Sequence, residues 1–248
     1  MASHGDKKVA LVTGANRGIG LETARQLGKE GITVVVAARS LAAANETAER
    51  LKAEGLDVFP VKLDVTSAED RAAAAKAVSE RYGKLDILIN NAGVGAEDGM
   101  FAGKTIETTE RELQKVFGTN VFAVVAVTRE FLPLLKKSSA GRIVNLSSIL
   151  GSLTLHADPK SPIASIKTFA YDASKTALNA FTIHLAAELK GTNIKVNSAH
   201  PGWVKTDMGT EKAPMEVVDG AKTSVQLALL GGDGPSGRFI HLGQELPW

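Results

Sequence analysis

The sequence predicts a doubly wound α/β fold, a mostly parallel sheet with helices on both faces, and three observations predict it. Short runs rich in Val and Ile alternate with longer amphipathic stretches along the 248 residues, and strands separated by helices join as parallel crossovers. A glycine-rich turn separates the first strand from the first helix. No Pro/Gly/Ser linker, internal repeat or compositional break divides the chain, so one domain over 1–248 is expected, with 1–6 as a flexible lead.

Seven runs read as buried strands: "KVALVT", "ITVVVAA", "DVFPVKL", "LDILIN", "GRIVNLS", "IKVNSA" and "GRFIHL". The first leads into Gly14, Gly18 and Gly20, which open the first helix, and the second ends at Ala38 and Arg39. The helix "LAAANETAERLKAEG" follows Ser40 as its N-cap and closes at Gly55. After the third strand, "SAEDRAAAAKAVSERYG" carries a Ser67 to Asp70 capping-box pattern and stops at Gly83. The fourth strand runs into "NNAG". The helix after Asn120, "VFAVVAVTREFLPLLKK", and the one from Tyr171 to Leu189 are apolar on more than one side, which fits either a subunit interface or deeply buried central helices. The fifth strand ends in "NLSS" and the sixth in the turn "PGWVKT".

Composition narrows the function classes. With 44% hydrophobic and 23% charged residues the chain is globular rather than disordered. A formal net charge of +2, with both signs mixed along the helices, offers no basic stripe for nucleic acid and suits a neutral ligand or a small anion. The absence of cysteine removes disulfides, thiol nucleophiles and cysteine metal sites, and fits a cytoplasmic location. His156, His184, His200 and His241 lack ligand spacing with carboxylates, so they read as packing or surface residues and no metal is expected. "MASHGDKK" is polar and "VALV" is too short for a signal or a membrane span.

The turn after the first strand, spaced G-x-x-x-G-x-G, suits a dinucleotide: glycines allow a tight turn and a close pyrophosphate, and the helix N-terminus adds amide donors and positive partial charge. At the end of the second strand an acidic residue would bind the ribose and repel a 2′-phosphate. Arg39 stands there instead, and Arg17 in the glycine turn can approach from the other side, so the cofactor is expected to be NADPH/NADP+.

Tyr171 and Lys175 stack one turn apart on a helix. Most such pairs are a solvated face, but a neighbouring ammonium can also favour a tyrosinate and make the phenol a proton donor. The surrounding motifs decide between the two. "TGANRGIG" at Thr13–Gly20, "NNAG" at Asn90–Gly93, "NLSS" at Asn145–Ser148, "YDASK" at Tyr171–Lys175 and "PGWVKT" at Pro201–Thr206 occur in order on successive strand ends. With these motifs the chain resembles the short-chain dehydrogenase/reductase family, in its single-domain branch, over nearly its whole length.

The resemblance implies a Rossmann fold with strand order 3-2-1-4-5-6-7. It implies that Tyr171 is the general acid in reduction and base in oxidation, and that Lys175 lowers its pKa and holds the nicotinamide ribose. Ser148 would orient the substrate oxygen, with Ser147 as its competitor for that role, and Asn120 would position a water leading to Lys175. Cofactor contacts are expected from Gly14, Asn16, Arg17, Gly18, Ile19, Gly20 and Arg39, from Asp64 and Val65 at the adenine, from Asn91, Ala92 and Gly93, and from Pro201, Gly202, Val204 and Thr206.

One departure from the family's spacing is the long segment 149–170 between Ser148 and Tyr171. Its Pro159 and Pro162 and weak helical period predict a loop at the mouth of the site. That insert could shape the substrate pocket or obstruct the family's dimer helices, which weakens the expectation of a homodimer or homotetramer. Met100, Phe101, Leu153, Trp203 and Met208 would wall the pocket, with no Arg placed to clamp a carboxylate, so a fairly apolar ketone or aldehyde, reduced reversibly to its alcohol, is the expected substrate. Two alternatives stand beside it. One is an acyl-carrier-linked 3-oxoacyl reductase; the other is a dinucleotide-sensing or scaffold protein without turnover, which would have no need of Asn120, Ser148, Tyr171 and Lys175 together.

Overall fold

A computed structural model describes residues 7–95 and 104–248 of the chain. Residues 1–6, the expected flexible lead, and Met100 and Phe101, expected pocket residues, lie outside the described residues. The strands are β1 (Val9–Thr13), β2 (Thr33–Ala38), β3 (Val58–Lys62), β4 (Ile87–Asn90), β5 (Arg142–Leu146), β6 (Lys195–Ala199), β7 (Phe239–His241) and β8 (Gln244–Glu245). They form one sheet in the order β3-β2-β1-β4-β5-β6-β7-β8. The first seven pair in parallel, as expected, and β8 adds an antiparallel edge strand. Leu242 and Gly243 join β7 to β8 with φ of 45° and 80°, both left-handed, as a two-residue hairpin turn requires. Leu-Gly lacks the Asn-Gly or Asp-Gly signature, so this strand gave no sequence signal.

The helices are α1 (Gly18–Lys29), α2 (Leu41–Ala53), α3 (Ala68–Tyr82), α4 (Glu110–Phe117), α5 (Ala123–Leu135), α6 (Leu153–Ala157), α7 (Phe169–Glu188) and α8 (Val217–Ala228). Alternation along the buried strands divides the core. Val9, Leu11, Val35 and Leu88 meet Val78 of α3, Phe131 of α5 and Leu185 of α7. Ala10, Val12, Val34 and Ile87 meet Leu27 of α1, Leu51 of α2 and Leu227 of α8. Each fully buried Leu, Ile or Phe contributes about 1.5–3 kcal/mol of transfer free energy, so both faces must be covered.

The caps follow the sequence with one change. Ser40 Oγ accepts from Ala43 N–H, and Ser67 Oγ accepts from Asp70 N–H, both at 3.2 Å. Asp70 does not complete a capping box: its carboxylate accepts from Asp64 N–H at 3.0 Å and from Lys62 Nζ at 2.9 Å, which ties α3 to the end of β3 instead.

By length and apolarity alone, Glu110–Leu135 would suffice to cross a membrane. Its Val116, Val127, Phe131 and Leu135 are fully buried, so the protein core accounts for part of that apolarity. Neither this helix nor α7 is buried all round, because Phe122 and Val125 on one and Phe169 and Ile183 on the other are exposed.

Candidate active site

The site is built from the carboxyl ends of β1, β4, β5 and β6, where an open parallel sheet leaves a crevice. Gly14 and Gly18 hold φ of 63° and 54°, positions where a side chain would strain the turn. A Cβ at Gly20 would collide with the Asn91 side chain and the Gly14 carbonyl. Asn91 braces this turn: its Nδ2 donates to the Thr13 carbonyl at 2.7 Å and the Gly14 carbonyl at 3.2 Å. The N–H groups of Asn91 and Ala92 both donate to Thr13 Oγ1 at 3.0 Å. Asn91, expected on the ribose side, therefore spends its donors on the glycine turn.

α1 has Arg17 at its N-cap without a side-chain capping bond, whereas Ser40 and Ser67 cap α2 and α3. Its first amides and dipole thus stay available to an anion, and this turn fits a dinucleotide pyrophosphate. Arg39 and Asn16 are exposed beside it, Ile19 is half-buried and Val65 is buried. Arg39 has no ion-pair partner among the described residues. Arg17 pairs with Asp207 across the mouth of the cleft. Asp64 Oδ1 accepts from Thr66 N–H and Thr66 Oγ1 at 2.9 and 2.7 Å, closing the turn that follows β3.

The four residues expected to carry chemistry come together. A π-helical turn, Gly118–Phe122, interrupts the otherwise continuous α4 and α5 and holds Asn120 buried. Asn120 Nδ2 donates to the Val94 carbonyl at 2.9 Å and to Ser174 Oγ at 3.1 Å, while its Oδ1 accepts from Val94 N–H at 2.9 Å. Both side-chain donors are spent on fixing α7 to the segment after β4, so of the side-chain atoms a water could meet only the remaining lone pair of Oδ1. Ser147 and Ser148 separate cleanly. Ser147 Oγ donates to Asn179 Oδ1 at 2.7 Å inside the core, whereas Ser148 Oγ accepts from Leu150 N–H at 3.2 Å and stands beside the Tyr171 phenol.

Lys175 is buried, donates from Nζ to the Leu146 carbonyl at 2.8 Å, and lies 5.6 Å from the Tyr171 ring centroid. Gly93 leaves room beside it: a Cβ there would stand 3.7 Å from Lys175 Nζ and 3.2 Å from Asn120 Oδ1. The expected fall in the Tyr171 pKa does not appear. Burial pushes the phenol up to about 12, against the lowering effect of the neighbouring Ser148 hydroxyl and with a smaller raising contribution from Asp172. Burial also lowers Lys175 to about 8.

Beyond Pro201, Gly202 holds φ of 90° and Val204 is buried in a bridge to Met215. Thr206 Oγ1 donates to the Val204 carbonyl at 3.3 Å and accepts from Gly209 N–H at 3.1 Å, and its methyl faces Gly18. The Trp203 indole N–H donates to the Gly209 carbonyl at 2.7 Å and closes this loop. Met208, exposed at the rim, lies over Gly95.

The insert is more ordered than a loop. It contains a 3₁₀ turn, Ile149–Gly151, and α6, which Ser152 caps through Leu155 N–H at 3.1 Å and on which Leu153 is exposed. Asp172 clasps the insert to the start of α7. Its carboxylate accepts from Thr168 N–H and Oγ1 at 2.9 and 2.7 Å and lies 3.4 Å from His156 Nε2, with Lys167 Nζ 3.0 Å from His156 Nδ1. Burial raises the Asp172 pKa. Sequence reasoning missed Asp172, although its place beside Tyr171 in "YDASK" was a signal. It also missed the buried ladder under the site, in which Asn90 Nδ2 donates to Asn145 Oδ1 and Asn145 Nδ2 to Thr182 Oγ1, both at 2.9 Å.

Residues 8–217 match the family model described as short chain dehydrogenase. The chain is 38% identical over 232 residues to the short-chain dehydrogenase anuI of Penicillium roqueforti, covering 91% of this chain and 90% of that protein. It is 34% identical to the (+)-neomenthol dehydrogenase of Arabidopsis thaliana, covering 94% and 95%. In structure it is similar to the NADPH-bound carbonyl reductase from chicken fatty liver, with a TM-score of 0.84 at 30% identity, covering 98% of this chain and 99% of that one.

Proposed function

The chain belongs to the short-chain dehydrogenase family, and from that premise we propose that it is an NADPH-dependent carbonyl reductase acting reversibly on a fairly apolar ketone or aldehyde. The observation that carries the reading is that Ser148 and the buried Lys175 both stand beside the Tyr171 phenol, with Lys175 Nζ 5.6 Å from its ring centroid. Support for NADPH comes from Arg39 in place of an acidic residue at the end of β2 and from the NADPH-bound relative of known structure.

When bound, the nicotinamide supplies or accepts the hydride. The Tyr171 hydroxyl, protonated at neutral pH, donates its proton to the carbonyl oxygen in reduction and takes it back in alcohol oxidation. Ser148 holds the same oxygen, so a hydroxyl pair stands where negative charge develops. Lys175 stabilises the tyrosinate left behind, and the Leu146 carbonyl fixes where its ammonium points. Asn120 keeps α7 in register with Gly93 and Val94.

Exposed Leu153, Trp203 and Met208 support an apolar substrate, and the cations near the mouth are engaged, Arg17 with Asp207 and Lys167 with His156. The exposed apolar residues of α5 and α7 support assembly as a homodimer or homotetramer, and the lack of cysteine supports a cytoplasmic setting. Loss of reduced-nicotinamide absorbance against a carbonyl panel tests the function: kcat/KM should favour aryl ketones over matched keto acids, and a preference for the acids would overturn the substrate class.

A further inference from the structure

His200 follows β6 directly, stands before Pro201 and is 8% exposed. Its Nδ1 receives two backbone amides, Ile149 N–H at 3.2 Å and Gly202 N–H at 3.4 Å. Ile149 follows Ser148, and Gly202 lies in the turn from which cofactor contacts are expected. One ring nitrogen therefore joins the turns that follow two neighbouring strands, β5 and β6.

Several contacts hold the ring in place. Its backbone N–H donates to the Ile240 carbonyl at 2.8 Å, its own carbonyl lies 2.9 Å from His241 Nδ1, and the two imidazoles stand 4.8 Å apart. Gly202 is equally confined, since a Cβ on it would collide with the Met215 side chain and lie 3.3 Å from the His241 ring. Because Nδ1 accepts, the ring proton must sit on Nε2. Burial, with His241 adding to it, lowers the His200 pKa to about 3, so the ring stays a neutral acceptor throughout the working range.

We propose that His200 is a positioning residue whose Nδ1 lone pair sets the spacing between the Ser148 turn and the Pro201–Gly202 turn, and so between the substrate oxygen and the bound cofactor. The proposal rests on the carbonyl-reductase reading of the site. A histidine that merely filled the core would need its volume; this one needs its lone pair, because two half-buried amides lose their acceptor without it.

His200→Leu keeps bulk and removes the acceptor, while His200→Asn returns an oxygen close to where Nδ1 stands. Misplacement on the scale of an ångström should cost about 10- to 100-fold in kcat for His200→Leu. The Kd for NADPH should move less, and His200→Asn should recover most of the loss. A Leu variant within about twofold of wild type, or a folded Asn variant as impaired as Leu, would overturn the proposal.

If the Leu variant fails to fold, His200→Gln takes its place: shifting the acceptor by one bond, it should fall well below His200→Asn, and equal activities would count against the idea. Nitrogen-15 shifts of the wild-type ring give a readout independent of turnover. A bare Nδ1 is expected, and a protonated one would refute the hydrogen-bond assignment. A wild-type protein that binds NADPH but reduces no carbonyl would remove the reductase reading and this role with it, even with the tautomer as expected.

Discussion

Lys175→Met should stabilise the protein free of cofactor while abolishing its turnover. The ammonium is 5% exposed, and burial brings its pKa down from 10.5 to about 8. At about 1.4 kcal/mol per pKa unit, keeping it charged in the fold costs about 3 kcal/mol at neutral pH. Methionine removes that cost but also the hydrogen bond to the Leu146 carbonyl, worth about 1–2 kcal/mol, leaving a net gain of about 1–2 kcal/mol. The sign also fixes a pH window. Below pH 8 both folded and unfolded chains carry the proton, and the cost is complete. Between about 8 and 10.5 the folded lysine is neutral and the unfolded one charged, so wild-type stability rises with pH and the advantage of the Met variant shrinks. Urea unfolding of both proteins on either side of that window reads the difference. A Met variant less stable at neutral pH, or an advantage that does not shrink as pH rises, would refute the reasoning.

Two further substitutions probe the site. Ser148→Ala should lower kcat about 10²- to 10³-fold by removing a hydroxyl from the developing charge, whereas Ser147→Ala should cost about 1–2 kcal/mol of unfolding free energy through Asn179 and leave turnover nearly intact; steady-state kinetics and denaturant melts separate them. Arg39→Asp should reduce the preference for NADPH over NADH by at least about tenfold, since a charge-assisted phosphate contact becomes a repulsion. Arg17→Ala should do less, because Arg17 already has Asp207 as a partner.

The seven parallel strands were legible because buried parallel strands read as unbroken runs of Val, Ile and Leu. The helix stops at Gly55 and Gly83 were legible because both glycines hold positive φ, 81° and 70°. The motif residues Asn120, Ser148, Tyr171 and Lys175 could be listed from sequence, but two of their environments could not. A π-turn has no compositional period, so nothing announced how Asn120 would be turned inward. The Tyr171 pKa is set chiefly by burial, with a smaller raising contribution from adjacent Asp172, and neighbouring Lys175 alone suggested the opposite direction. α6 was read as loop because Pro159 and Pro162 dominate the composition of the insert, although Ser152 is a good N-cap. His200 looked like a packing residue because its two amide partners lie on turns distant from each other in sequence.

The most direct test of the central claim is Tyr171→Phe, assayed for NADPH binding by fluorescence and for carbonyl reduction in the same preparation. Binding should stay within about threefold of wild type while kcat falls about 10³-fold or more. A phenylalanine variant that reduces carbonyls at the wild-type rate would contradict a phenolic proton donor at this site.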